Sequence, residues 1–225
     1  MRILSAARCG LAVAVLAACG GGPPADGTFV IQGLGVEFGP WDPSTGRAGD
    51  FLFVAGEEKV FLEFGATVRA PDGAAKELPT FEYRIRPDAT VRAIAAGRVV
   101  RLDFQPETGD YEIGAATLDP RFEVGYDHVR APRIAIGDVL APGDALGRPG
   151  PWNESLGRFE IMIVEAAAGR AWCPFSFYDV ELAPAMQESV RRLMADWESF
   201  RGDPSTYAEE EQAFPGCRYE SMPLY

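Results

Sequence analysis

Histidine and lysine are nearly missing from this chain. Among its 225 residues, His128 is the one histidine, and Lys59 and Lys76 are the two lysines. A catalytic zinc needs three protein ligands and an open position, with nitrogen or sulfur donors usual. One histidine therefore leaves a histidine-rich metal centre unbuilt. Several other chemistries lack their framework. No P-loop occurs, and Gly33-Leu34-Gly35 is only a fragment of a dinucleotide fingerprint. Asn153-Glu154-Ser155-Leu156-Gly157 lacks the first glycine of a nucleophile elbow. Among 33 acids no pair stands out as the two carboxylates of a glycosidase. No apolar run is long enough to span a membrane as a stable helix; the run from Leu11 to Ala18 is too short.

That short run is part of a targeting segment. Arg2 and Arg8 precede it, and it ends in Leu16-Ala17-Ala18-Cys19. The tetrapeptide resembles a bacterial lipobox, which implies cleavage after residue 18 and acylation of Cys19; an ordinary secretory signal with a chance cysteine is the alternative. Gly20-Gly21-Gly22-Pro23-Pro24 then reads as a tether, giving a signal over residues 1–18 and a tether over 19–27. Gly20 after the cysteine resembles the sorting pattern for the outer membrane of a Gram-negative cell.

Removing Arg2 and Arg8 takes the formal net charge from −12 to −14 over the remaining 207 residues (225 less 18). Such a chain binds phosphate backbones poorly, which excludes nucleic acid as the expected partner. It also points to lipid rather than charge as the membrane attachment. Of the four cysteines, Cys9 leaves with the signal and Cys19 carries the lipid. Cys173 and Cys217 remain, in a protein exported to where disulfides persist. A bridge between them would close a 44-residue loop, worth about 3–4 kcal/mol in the chain-entropy model. Two buried free thiols are the other possibility.

From Thr28 to Val164 the pattern is β. Val60, Leu62 and Phe64 share a side; Val100, Leu102 and Phe104 alternate with Val99, Arg101 and Asp103; Phe122, Val124 and Tyr126 alternate with Glu123 and Gly125; and Phe159, Ile161 and Ile163 alternate with Glu160, Met162 and Val164. Period two with one apolar side predicts half-buried strands. Glycine and proline punctuate every interval, so a sandwich or curled barrel is expected rather than a βαβ fold. One helix follows, with Pro184 in its first turn and an apolar stripe of Met186, Val190, Leu193, Met194, Trp197 and Phe200. Gly202 and Asp203-Pro204 should stop it. The stripe is expected to dock on the β core, and Glu209-Glu210-Glu211 to be a solvated face. Trp41 to Asp50 is turn-rich with acids at both ends, but lacks the regular alternation of a Ca²⁺ loop.

Two glycine-centred segments, Thr90 to Val100 and Ile136 to Gly147, predict short hairpins of the kind that build barrel-sandwich folds. Biotin or lipoyl attachment uses the same hairpins but needs a lysine at a tip, and neither lysine sits in either segment.

The order of these segments resembles the lysostaphin-like zinc endopeptidases that cut peptidoglycan cross-bridges. In that family a V-x-A-x-x-x-G-x-V strand pair comes first, then Y-x-H-L, then G-D-x-V-x-x-G-x-x-I-G, then a His-x-His-Phe-Glu strand. The chain offers Val91-Arg92-Ala93 through Val99, then Tyr126-Asp127-His128-Val129, then Gly137 through Gly147, then Phe159-Glu160-Ile161. The resemblance covers about residues 80–165. It implies a mainly β, barrel-sandwich-like core, preceded by a β extension over 28–79 and followed by a helical, disulfide-clipped cap over 166–225.

The departures carry the functional expectation. The family holds zinc with a His and an Asp from an upstream His-x-x-x-Asp and with the second His of His-x-His. Leu156-Gly157-Arg158 stands where the latter belongs, and Leu78 to Glu82 has no histidine. The resemblance places Glu82 near the family's Asp and His128 beside the metal rather than on it. Arg158 would then put a fixed charge near the metal position and pair with Glu82, since an Arg–carboxylate bond can be bidentate and strong; an exposed, unrelated pair is the alternative. His128 is either vestigial machinery or a hydrogen-bonded structural residue. The expectation is an exported envelope lipoprotein without metal or cofactor. A groove of Glu82, Tyr126, Asp127, His128, Arg158 and Glu160 would bind peptidoglycan or an envelope protein. A hydrolase using Glu82, Asp127 and Glu160 with His128, or acting without metal, competes with this, as does a purely structural role.

Overall fold

The computed structural model describes residues 28–69 and 73–224. The signal, Cys19 and the tether lie outside the described residues.

The protein is mainly β, with one antiparallel sheet of 14 strands and a small two-stranded ribbon, Thr67–Arg69 with Ala75–Glu77. The centre of the sheet runs through strands Phe81–Ile85, Gly157–Glu165, Phe122–Arg130, Asp110–Thr117 and Gly97–Gln105. Both flanks join it. Phe51–Leu52 and Phe61–Leu62 pair with Phe81–Ile85, while Arg170–Trp172 pairs with Gly157–Glu165 and with Ser221–Pro223. The alternation of Phe159, Ile161 and Ile163 and of Phe122, Val124 and Tyr126 is realised, with all six buried.

The helix spans Ala183–Arg201 and ends at Gly202, which adopts the left-handed conformation expected of a terminating glycine. Val190, Leu193, Met194 and Trp197 are buried, with Met186 and Phe200 packed at the margin. Trp197 meets Phe53 edge-on, ring centroids 5.0 Å apart, and its Nε1 donates to the Glu58 carbonyl at 3.2 Å. Cys173 and Cys217 form a disulfide, tying the segment after the helix to the strand end before it.

Three expectations of local structure are corrected. The stretch around Gly97 is not a hairpin: Gly97 begins a long strand, where an added Cβ would lie 2.7 Å from the Ala116 carbonyl oxygen. Each glycine segment pairs with the other instead: Val91–Arg92 with the strand Ala145–Pro151, and Gly97–Arg98 with Val139–Leu140. The second correction is the apolar side of Gly97–Gln105. A bulge between the pairs Gly114↔Arg101 and Ala115↔Val99 leaves Val100 as the extra residue, so Val99 turns inward and Val100 outward. Phe104 also stays exposed, against Tyr111. Third, Phe61 is fully buried alongside Val60 and Phe64 while Leu62 is only half-buried, because Tyr207 and the helix side of the molecule cover the face that was expected to be solvated. The Trp41-to-Asp50 stretch is a small hairpin in which Asp42 accepts hydrogen bonds from Ser44 and Thr45.

Candidate functional site

Strand register places the acids in a row. Glu82 lies opposite Glu160, and Glu160 opposite Asp127, on three adjacent strands. Side chains two apart share a face, so Arg84 and Arg158, themselves register partners, flank that row. Like charges directly opposite are destabilising, and the guanidinium groups resolve the conflict. Arg158 Nη2 donates to Glu82 Oε2 at 3.0 Å and also contacts Glu160 Oε1. Arg84 pairs with the other oxygen of Glu82. Glu82, Arg84 and Glu160 are buried, with Glu82 only 2% exposed.

His128 sits at a fork. Up to Asp127 its strand pairs with Gly157–Glu165; from Val129 it pairs with Ala145–Pro151, which wedges between the two. The strand changes neighbours through His128, whose φ is +58°. A non-glycine residue there is uncommon and is held by its surroundings. His128 Nδ1 is 2.9 Å from Asp110 Oδ2, and Asp110 is fully buried. On the other side, Nε2 is 3.6 Å from Glu160 Oε1 and 3.8 Å from Asp127 Oδ2. Asp127 accepts from Gln105 Nε2 at 2.8 Å and from the His128 amide at 2.6 Å. Gly150 leaves the room this needs: a Cβ there would run into the Asp110 carboxylate.

These surroundings shift the proton affinities. Burial, with Glu160 close by, raises the Glu82 carboxyl from an ordinary 4.5 to about 7, against the pull of Arg84 and Arg158. Burial also pushes on Glu160, but Arg158 and the hydrogen bond from Glu82 outweigh it and leave Glu160 below its ordinary value. A proton taken up by this pair therefore goes to Glu82 rather than to Glu160. Asp127 is raised by burial, with His128 opposing. Arg84 is lowered to about 10, again mainly by burial.

Five of the six expected groove residues, Glu82, Asp127, His128, Arg158 and Glu160, come together in this way. Tyr126 is a correction. It precedes Asp127, so it points to the opposite face, fully buried, where its hydroxyl accepts from the Ile94 amide at 3.0 Å and its ring stacks on Phe159. Sequence reasoning missed Arg84 and Asp110. Arg84 carried a signal, being two residues from Glu82 on a strand. Asp110 carried none, because only the hairpin register brings it under His128.

Beside the row lies a cleft of about 200 Å³. Glu112, Asp127 and Glu160 line it together with Lys76 and Arg158, over an apolar margin of Leu78, Pro79 and Met162. The donor set does not fit the zinc ion of the resembled peptidases. A guanidinium is bonded between Glu82 and Glu160, and its fixed charge repels a divalent cation placed there. Among the described residues no three His, Cys, Asp or Glu side chains are grouped to hold a metal.

No family model matches the chain, and no curated protein matches it. Solved structures do. The catalytic domain of the antimicrobial peptidase lysostaphin from Staphylococcus simulans is similar over 53% of this chain and 88% of that one, at 17% identity and TM-score 0.41. LytU is similar over 55% and 90%, at 18% identity and TM-score 0.42. Csd3 of Helicobacter pylori is similar over 88% of this chain and 48% of its own, at 12% identity and TM-score 0.46. The chain spans about half the length of the lysostaphin solution structure, covering 49% of it. The likeness is one of fold, that of the lysostaphin-like peptidases.

Proposed function

We propose that this chain is an exported, lipid-anchored envelope protein whose peptidase-like β domain binds peptidoglycan or an envelope partner in the cleft beside Glu160 and does not cleave it. The observation that carries the reading is Arg158, bonded to Glu82 and in contact with Glu160. In a metallopeptidase of the resembled kind this part of the strand supplies a metal ligand; here it supplies a cation of its own. The buried Glu82–Glu160–Arg158–Arg84 cluster holds its charges in pairs, which rigidifies the floor of the cleft. The rim, with Lys76, Glu112 and Asp127, remains able to bond a polar ligand. In this reading His128 is a structural pivot fixed by Asp110, and the N-terminal lipid on Cys19 keeps the domain at the membrane.

The test is co-sedimentation of the purified protein with peptidoglycan sacculi, followed by analysis of the supernatant for released fragments. Bound protein and no fragments are expected. Stoichiometric zinc in the purified protein, with fragment release lost on chelation, overturns the reading. Failure to bind any envelope fraction favours a structural role. For the anchor, radiolabelled palmitate should enter the wild-type chain and not the Cys19→Ala variant.

A further inference from the structure

Trp152 is the most open of the four tryptophans. It is 43% exposed, while Trp197 is fully buried and Trp41 and Trp172 are half-buried. It is nonetheless fixed. Its Nε1 donates to Glu57 Oε2 at 3.2 Å, and the same carboxylate accepts from Asn153 Nδ2 at 2.6 Å. Asn153 Oδ1 in turn accepts from the Ser155 and Leu156 amides, both at 2.9 Å, which locks the turn. The Arg84 guanidinium carbon lies 3.3 Å from the ring centroid and covers one face. Arg84 is itself held by Glu82. The indole is thus clamped at its rim and stacked on Arg84, yet the residue remains exposed.

We infer that Trp152 is a stacking platform for a neutral sugar ring, so that the saccharide strand is the part of peptidoglycan this chain grips; the inference rests on the binding reading above. A locked aromatic face costs little further entropy when a ligand covers it. The chemistry around it selects the ligand. Arg84 behind the ring and Arg158 at 5.9 Å oppose a cation. Glu57, Asn153 and Arg158 surround the ring with polar groups, which an apolar ligand would strip of water with nothing to replace it. A pyranose answers both demands: its axial C–H bonds lie on the electron-rich face, and its hydroxyls point outward to the polar rim. Arg158 also lines the cleft, so a strand seated on Trp152 continues toward Lys76 and Glu112.

The experiment titrates the full mature chain with N-acetylglucosamine tetramer by calorimetry, with tryptophan emission recorded in parallel. Saturable binding with a change in emission is expected. Trp152→Ala should weaken it about tenfold or more, while Trp152→Phe, which keeps a ring over Arg84, should retain most of it. Equal affinity of Trp152→Ala and wild type overturns the inference. So does absence of tetramer binding by a protein that still co-sediments with sacculi, a result that leaves the broader reading intact. Absence of both overturns the inference together with the peptidoglycan arm of the reading on which it rests.

Discussion

Replacing Arg158 by Met removes the one group that touches both central carboxylates. Glu82 and Glu160 are register partners and both are buried, so the variant leaves two acids facing each other in a site that water barely reaches. Breaking a buried pair from one side costs about 3–5 kcal/mol. The lower end applies here, because Arg84 still holds Glu82 and the Arg158 side chain is 26% exposed, which gives about 3 kcal/mol near pH 7.5. For a chain of this size that lowers the thermal midpoint by roughly 6–12 °C. Urea unfolding followed by circular dichroism at pH 7.5 and pH 5 measures it. The loss should shrink at pH 5, where the second carboxyl can also take a proton. The quadruple variant Glu82→Gln/Arg84→Met/Arg158→Met/Glu160→Gln, which removes all four charges of the cluster, should recover most of the stability. A loss under about 1 kcal/mol, or one equal at both pH values, refutes the assignment of Arg158 as the cation that neutralises this site.

Wild-type stability should fall as pH rises from about 4.5 through about 7. Over that range Glu82 keeps a proton in the folded state that the unfolded chain has released. Glu82→Gln should flatten the profile in the same urea titration. Gly150→Ala should cost about 2 kcal/mol or more, since the methyl would displace Asp110 from beneath His128; a variant as stable as wild type contradicts the account of the fork. Removing the Cys173–Cys217 bridge by a double alanine substitution closes no 44-residue loop in the unfolded chain and should cost about 3–4 kcal/mol in the chain-entropy model, read from denaturant midpoints.

Much of the fold was legible from period two and period 3.6. Phe159, Ile161 and Ile163 alternate because one face of their strand is core, and the helix stripe from Met186 to Phe200 docks where its apolar side demands. Val100 was not legible, because a single bulge residue reverses every side chain beyond it and leaves no compositional mark. The glycine segments misled for a related reason. Gly97 marks a close approach to the Ala116 carbonyl rather than a turn, and a glycine serves either need. At the site, Glu82, Arg158 and Glu160 could be placed from the order of motifs, because neighbouring strands convert sequence order into a row. Asp110 joins through the register of a hairpin, and Trp152 through a loop fixed by Glu57, 95 residues away. Neither connection has a local signature.

The most direct test of the central claim is to incubate the purified protein with sacculi, zinc supplied in excess, and to analyse the sedimented and soluble fractions. Protein that pellets with the sacculi while no peptide or glycan fragment enters the supernatant is the predicted result. Soluble fragments that appear with zinc and vanish with a chelator would contradict it.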